Sequence, residues 1–401
     1  MTRDTTDLQA GIGDALATDY FNLRDQLTPT QLDHLTRARQ FVDDHVLPDI
    51  NEYWDRAEFP WPIVEKLGAS GLVGDGIEGY GCPPMDPLSA GLVTMELSRG
   101  DGSIGTFVGV QAGLAMRSIA SCGSEEQKQR WLPGMARLEK LGAFALTEPD
   151  HGSDSVGLET TARRDGGSWV IDGAKKWIGN GTIADVIVVW ARDTEDGQVK
   201  GFLVEKGAPG YEARVIERKG SLRAVWQAEI RLDGVRVDEA DRLPGANSFK
   251  DTARVLAATR SSCAWMALGH AVAGFDAALT YAGRREQFGR TLAHSQIIQQ
   301  RLVRMLADVT AMQLYCLQIA RLAELGKLSD TLAGLAKLHN TTKARAVLAE
   351  ARDLLGGNGI LLDFHVMRHM ADIESVHTFE GTETMQTLIV GRDITGVGAF
   401  R

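Results

Sequence analysis

The chain has 401 residues, with 43 Lys and Arg against 53 Asp and Glu and a formal net charge of −10. That length gives room for about two to three domains and a large core without disulfide staples. A hydrophobic content of 44% with 24% charged residues excludes collagen, extended disorder and a disulfide scaffold. The acidic balance argues against bulk binding to nucleic acid or an anionic membrane, since both require a basic face.

Cys82, Cys122, Cys263 and Cys316 are widely spread, with no CxxC and no His at zinc-finger spacing. They read as four reduced thiols in a cytoplasmic protein, and no metal is expected. The opening MTRDTTDLQAG carries charges and no apolar core, so no export signal is expected. The longest apolar run, around Val186, is far too short to span a bilayer.

Residues 1–24 lack strong periodicity and read as a flexible arm. Residues 25–142 read as a helical domain. Thr28 can cap a helix whose first position is Pro29, and Leu32, Leu35, Ala38 and Val42 repeat at helical spacing up to a stop at Pro48. Further helices are predicted over 61–67 and 87–99, and Ser124-x-x-Gln127 has capping-box spacing. From 143 to 247 short runs rich in β-branched and aromatic residues are punctuated by Gly and Asp, which predicts an antiparallel sheet domain. Asp172-Gly173 reads as a hairpin turn within it. Helical periodicity returns over 248–282, 295–325, 330–354 and the last twenty or so residues, so 248–401 reads as a four-helix bundle. The fold class is thus α+β and multi-domain: N-terminal helices, a middle antiparallel β domain and a C-terminal bundle.

Three patterns suggest other chemistry and fail on context. Gly74-Asp75-Gly76-Ile77-Glu78-Gly79 fits GxGxxG, but a helix precedes it and Tyr80-Gly81-Cys82-Pro83-Pro84 cannot continue one. His365 and His369 share a helix face without an acidic residue at HExxH spacing, and read as a structural pair. His151 reads as a loop histidine. GxSxG and Walker A motifs are absent.

Four segments together are specific: Phe144-Ala-Leu-Thr-Glu-Pro-Asp-His-Gly-Ser-Asp154; Lys176-Trp-Ile-Gly-Asn180; Arg285-Glu-Gln-Phe-Gly289 with Gln296 beyond it; and Leu354-Leu-Gly-Gly-Asn-Gly359 followed by Phe379-Glu-Gly-Thr382. On an α–β–α pattern the set resembles the acyl-CoA dehydrogenase family, from about residue 30 onward. The glutaryl-CoA dehydrogenases and the plant peroxisomal short-chain acyl-CoA oxidases are the most similar branches. GNGTIAD, GANSFKDTARVLA and LLGGNGI look most like the oxidases.

The resemblance implies an FAD enzyme that desaturates an acyl-CoA thioester between its α- and β-carbons, as in fatty acid β-oxidation. A thioester α-proton is weakly acidic, so the reaction needs a base of raised pKa in a dry pocket and hydrogen bonds to the thioester carbonyl. It implies Glu380 as the base, with apolar Phe379 before it and Gly381 after it. An alternative base next to Arg260 is missing, since that neighbour is Thr259.

Leu146, Thr147, Trp177, Ile178 and Gly179 would meet the flavin, with Ser153 near pyrophosphate and substrate. Arg285 would pair with pyrophosphate, for which its planar donors are suited. Phe288 and Gln296 would flank adenosine. Asp353, Gly356, Gly357, Thr382 and Thr384 match further nucleotide contacts, some made to a neighbouring subunit's FAD. Ser153, Arg260, Gly381 and Phe400 match substrate-side positions. A homotetramer, a dimer of dimers, is implied.

Two departures matter. Gly179 stands where dehydrogenases carry Thr, which is expected to open space and remove a hydrogen bond beside flavin N5. Gly105 stands where glutaryl-CoA dehydrogenases carry an Arg for the distal carboxylate, so a neutral short- to medium-chain acyl group is expected. Electrons would pass to electron-transfer flavoprotein. An acyl-CoA oxidase passing them to oxygen is the alternative, and a flavin monooxygenase on the same fold a further one, against which the retained carboxylate counts.

Overall fold

The computed structural model describes residues 18–399, so Phe400 and most of the expected N-terminal arm lie outside it. Helix α1 (Pro29–Phe41) starts on a complete capping box: Thr28 accepts from the Gln31 N–H, and the Gln31 side chain accepts from the Thr28 N–H. Helices α2 (Ile50–Arg56), α3 (Trp61–Ala69) and α4 (Pro87–Gly100) follow. The sequence reading passes over the next run: α5 (Gly102–Val108), a π-helical segment (Gly109–Met116) and α6 (Arg117–Cys122) are continuous. Four glycines, at 102, 105, 109 and 113, mask it, because each lowers helix propensity. Helix α7 (Glu125–Ala136) has the expected Ser124–Gln127 capping box.

The middle domain is a seven-stranded sheet: β1 (Gly142–Ala145), β2 (Thr161–Asp165), β3 (Ser168–Gly179), β4 (Val186–Asp193), β5 (Val199–Glu205), β6 (Tyr211–Val215) and β7 (Gln227–Asp238). Its order is β1-β4-β2-β3-β7-β6, with β5 on β4. The sheet is not purely antiparallel, because β4 pairs in parallel with both β1 and β2. Long excursions return the chain to β4 in the same direction, which a tight hairpin cannot do.

Asp172-Gly173 is not a turn. The β2–β3 turn falls at Gly166-Gly167, and Asp172 and Gly173 lie inside β3 at a register shift. A Cβ on Gly173 would lie 2.4 Å from Thr160 Oγ1, so this glycine marks a bulge with close backbone approach. A second shift lies between Lys175 and Ile178, with Trp177 at φ 64°. Strand β4 is buried on both faces. Val186, Val188 and Trp190 join the core shared with the N-terminal helices, and Ile187, Val189 and Ala191 the core on the other face. That explains its unbroken apolar run.

The C-terminal bundle is α8 (Phe249–Arg284), α9 (Gln296–Glu324), α10 (Asp330–Leu354) and α11 (Val366–Thr378), with a small hairpin, β8 (Glu286–Gln287) and β9 (Arg290–Thr291), after α8. The closing helical stretch is one helix, and a further helix precedes it. Phe379–Gly381 separates α11 from α12 (Glu383–Thr395), and the break carries Glu380 at φ 55° and Gly381 at φ 87°. His365 accepts from Arg368, and His369 lies buried with its Nδ1 2.9 Å from Nδ1 of His270. Among the described residues no helix is long and apolar enough to cross a membrane.

Candidate active site

A cavity of about 710 Å³ opens where the three blocks meet. The N-terminal block supplies Leu72, Val93, Val110 and Leu114, and the sheet domain supplies Leu146, Thr147, Ser153, Trp177, Ile178 and Gly179. The C-terminal bundle supplies Thr259, Arg260, Phe379, Glu380, Gly381 and Thr382. Size and largely apolar lining suit a small-molecule site with a few convergent polar groups.

Two anchors set the near wall. Gln111, in the π-helical segment, donates to the carbonyls of Met135 and Lys140 and accepts from the Gly142 N–H at 2.7 Å, fixing β1 to the helical block. Lys175 is buried and donates to Glu148 Oε1 at 2.9 Å and to the carbonyls of Leu146 and Trp190. Glu148 also accepts from the N–H groups of Glu159 and Thr160. Burial opposes charge on Glu148, but Lys175 and these N–H donors overcome it and hold the carboxyl at about 2. The segment with Leu146 and Thr147 is thereby pinned. The β3 bulge leaves Trp177 54% exposed at the cavity.

Glu380 is held differently. Its Oε2 accepts from Thr259 Oγ1 at 2.6 Å. Lys337, buried on α10, points at the backbone and donates to the carbonyls of Phe379 and Gly381. Gln386 donates to the carbonyls of Glu380 and Gly381, at 2.9 and 3.1 Å. A Cβ on Gly381 would lie 2.5 Å from Gln386 Nε2, so glycine is required there for space as well as for its φ. Part of the residue faces the cavity, but its carboxyl lies deep among protein atoms. Burial therefore raises its pKa, and the Thr259 hydroxyl and the Lys337 and Arg260 cations offset only part of the rise. Thr259 and Lys337 are not legible as site residues, because each is remote in sequence from the motif it serves; Gln386 lies next to that motif, but only the chain reversal at Glu380 and Gly381 turns its amide onto their carbonyls.

Arg260 lines the cavity and pairs with Asp330. Lys219 also lines it, but donates to the Leu222 and Val225 carbonyls and to Gln227. Gly179 leaves no void: a Cβ there would lie 2.8 Å from Val110 Cγ2, so Val110 already fills the space its lost side chain was expected to open.

The other expected contacts lie outside this cavity. Arg285 and Gln296 are exposed near the β8–β9 hairpin, and Phe288 at its tip is fully exposed at φ 54°. Asp353 is exposed and accepts from Arg301 at 2.8 Å. Gly356 and Gly357 are exposed, with nothing within 4 Å of an added Cβ, and Thr384 is exposed on α12.

Three family models match in order: the acyl-CoA dehydrogenase N-terminal domain over residues 28–139, the middle domain over 143–235 and the C-terminal domain over 249–395. The chain is 41% identical to glutaryl-CoA dehydrogenase from Mycobacterium smegmatis, covering 96% of this chain and 99% of that one with a TM-score of 0.93. It is 34% identical over 362 residues to the mitochondrial short-chain specific acyl-CoA dehydrogenase of Bos taurus, 88% of this chain and 87% of that protein. A chain from the structure of an electron transferring flavoprotein of Acidaminococcus fermentans is 30% identical, with a TM-score of 0.88 over 92% of this chain and 98% of that one. The chain belongs to the acyl-CoA dehydrogenase family of FAD-dependent oxidoreductases.

Proposed function

We propose that this protein desaturates neutral short- to medium-chain acyl-CoA thioesters to trans-2-enoyl-CoA, with Glu380 removing the α-proton. The observation that carries this is Glu380 itself: a carboxylate of raised pKa, on a backbone fixed from both sides, at the wall of a largely apolar cavity. At neutral pH such a group takes a proton more readily than an ordinary carboxylate, and the largely apolar lining limits competition from water.

FAD fits beside it. Leu146, Thr147, Ile178 and the exposed face of Trp177 form one wall of the cavity, with Gly179 beside them. Bound there, FAD supplies the acceptor for the hydride leaving the β-carbon. Arg285, Phe288 and Gln296 sit on an exposed hairpin and helix end, and with Asp353, Gly356, Gly357 and Thr384 they suit contacts completed between subunits of a homotetramer.

Electron-transfer flavoprotein is the favoured acceptor. Val110 fills the space beside Gly179, which leaves no open approach for oxygen at that point. The alternative, an oxidase, rests on the missing Thr hydroxyl and on the oxidase-like stretches GNGTIAD, GANSFKDTARVLA and LLGGNGI. The test is anaerobic addition of butyryl-CoA to the flavin-loaded protein. Loss of the oxidised-flavin band is expected; no bleaching by butyryl-, hexanoyl- or octanoyl-CoA overturns the assignment. Slow reoxidation of the reduced protein in air is expected, and rapid reoxidation with peroxide formation establishes the oxidase instead.

A further inference from the structure

Three charged residues on the cavity wall take no part in that chemistry: Lys219 is tied to the Leu222 and Val225 carbonyls, Glu374 is paired with Arg345, and the third is Asp75. The glycine-rich turn between α3 and α4, whose spacing mimics a dinucleotide motif, brings Asp75 to the wall beside Leu72, Met85, Val93 and Leu114. Asp75 is left-handed at φ 47°, a conformation Asp tolerates better than most residues. Its Oδ2 accepts from Arg117 Nη2 at 2.8 Å and Nε at 3.3 Å, and Arg117 also donates to the Asp75 carbonyl. Arg117, on α6, is not part of the lining, so of the pair only Asp75 reaches the cavity wall. The side chains are only 17% and 25% exposed. Among the described residues Asp75 Oδ1 and Arg117 Nη1 have no hydrogen-bond partner in the protein.

The pair is close to the base. Asp75 Oδ2 and Thr259 Cγ2 each lie 3.5 Å from the point where a Cβ on Gly113 would sit, and Thr259 is the residue that holds Glu380. A half-buried ion pair set into an apolar wall is costly to desolvate and adds little stability of its own. Specificity offers a reason for it, since discrimination is commonly built from a repulsive element set against the wrong ligand.

Resting on the acyl-CoA assignment above, we propose that Asp75, backed by Arg117, is a charge filter for the acyl chain. It admits neutral acyl groups and rejects those that end in a carboxylate. The like charge repels a second carboxylate in a cavity where water screens poorly, and Arg117 Nε and Nη2 cannot serve that carboxylate while Asp75 holds them. Gly105 is no substitute cation: it is buried, and a Cβ there would lie 2.3 Å from Ser98 Oγ.

The test compares kcat/KM for glutaryl-CoA and butyryl-CoA, with a dye acceptor, in the flavin-loaded wild type, D75N, D75N/R117M and R117M. D75N keeps the size and the turn conformation and leaves Arg117 uncompensated. The glutaryl-to-butyryl ratio is expected to be low in the wild type and to rise at least tenfold in D75N. It should fall back in D75N/R117M, where the freed cation is gone. R117M alone should discriminate against glutaryl-CoA at least as strongly as the wild type, and it reads the same filter if D75N folds poorly. A wild type that uses both substrates equally, a ratio in D75N within twofold of wild type, or a ratio that rises in R117M overturns the proposal. Bleaching of the wild-type flavin by butyryl-CoA keeps the two assignments apart: it holds the acyl-CoA chemistry while the ratio decides Asp75.

Discussion

Two lysines meet two glutamates near this cavity, with opposite results. In the sheet domain Lys175 bonds directly to the Glu148 carboxylate, two backbone N–H groups join it, and the carboxyl is held at about 2. In the C-terminal bundle Lys337 turns to the carbonyls on either side of Glu380, a single hydroxyl reaches the carboxylate, and its pKa is raised. Burial penalises charge in both places. What differs is where the donors point. Aimed at the carboxylate they produce an inert strut; aimed at the backbone they fix the chain on either side of the carboxylate and leave it basic.

Removing the proposed base should have the largest effect. E380Q keeps the shape and is expected to lower the rate of flavin bleaching by butyryl-CoA by about 10²- to 10⁴-fold, the usual worth of a general base. Stopped-flow absorbance measures it, and bleaching at the wild-type rate would move the base elsewhere.

Breaking the strut should instead cost stability. K175M strands the Glu148 charge and is expected to destabilise by about 3–5 kcal/mol, the usual loss when one partner of a buried pair is removed. Urea unfolding reads it, and E148Q/K175M should recover part of the loss. The sign of the pH dependence follows from the depressed carboxyl. With an ordinary value of 4.5 and a folded value of about 2, Glu148 contributes stability that is fully present above the ordinary value and is lost as pH falls toward about 2.

The pH profile of catalysis sharpens the contrast. The proposed base Glu380 would work only as the carboxylate, so kcat/KM should rise with pH through its raised pKa. T259V and K337M each remove a group that lowers that pKa, so each should move the rising limb to higher pH. K337M should also lower kcat, because the Phe379 and Gly381 carbonyls lose their shared donor. A limb that stays in place in both variants would separate the base from its support.

The smallest effect belongs to the flavin wall. G179T must displace Val110 and is expected to cost about 1–3 kcal/mol by overpacking, with relief in G179T/V110A. Thermal melting of the pair checks this.

Much of this was legible beforehand. Thr28–Gln31 and Ser124–Gln127 mark helix starts because capping is a local transaction between neighbouring residues. The motif residues Leu146, Thr147, Ser153, Trp177, Ile178, Gly179 and Glu380 do converge on one cavity. The misreadings arose where a local signal met a nonlocal demand. Asp172-Gly173 has turn chemistry, but Thr160 packs against the backbone there and makes it a bulge. Gly179 reads as space until Val110 arrives from another domain.

The sequence by itself determined the order of helical and sheet blocks, the caps that start the helices and the motif residues that converge on the cavity, because periodicity, capping and motif chemistry are written in neighbouring residues. Only the tertiary structure decided which donors reach which carboxylate. Glu148 lies 27 residues from Lys175 and Glu380 lies 121 from Thr259, and no local pattern encodes the distance, burial and direction that separate a strut from a base.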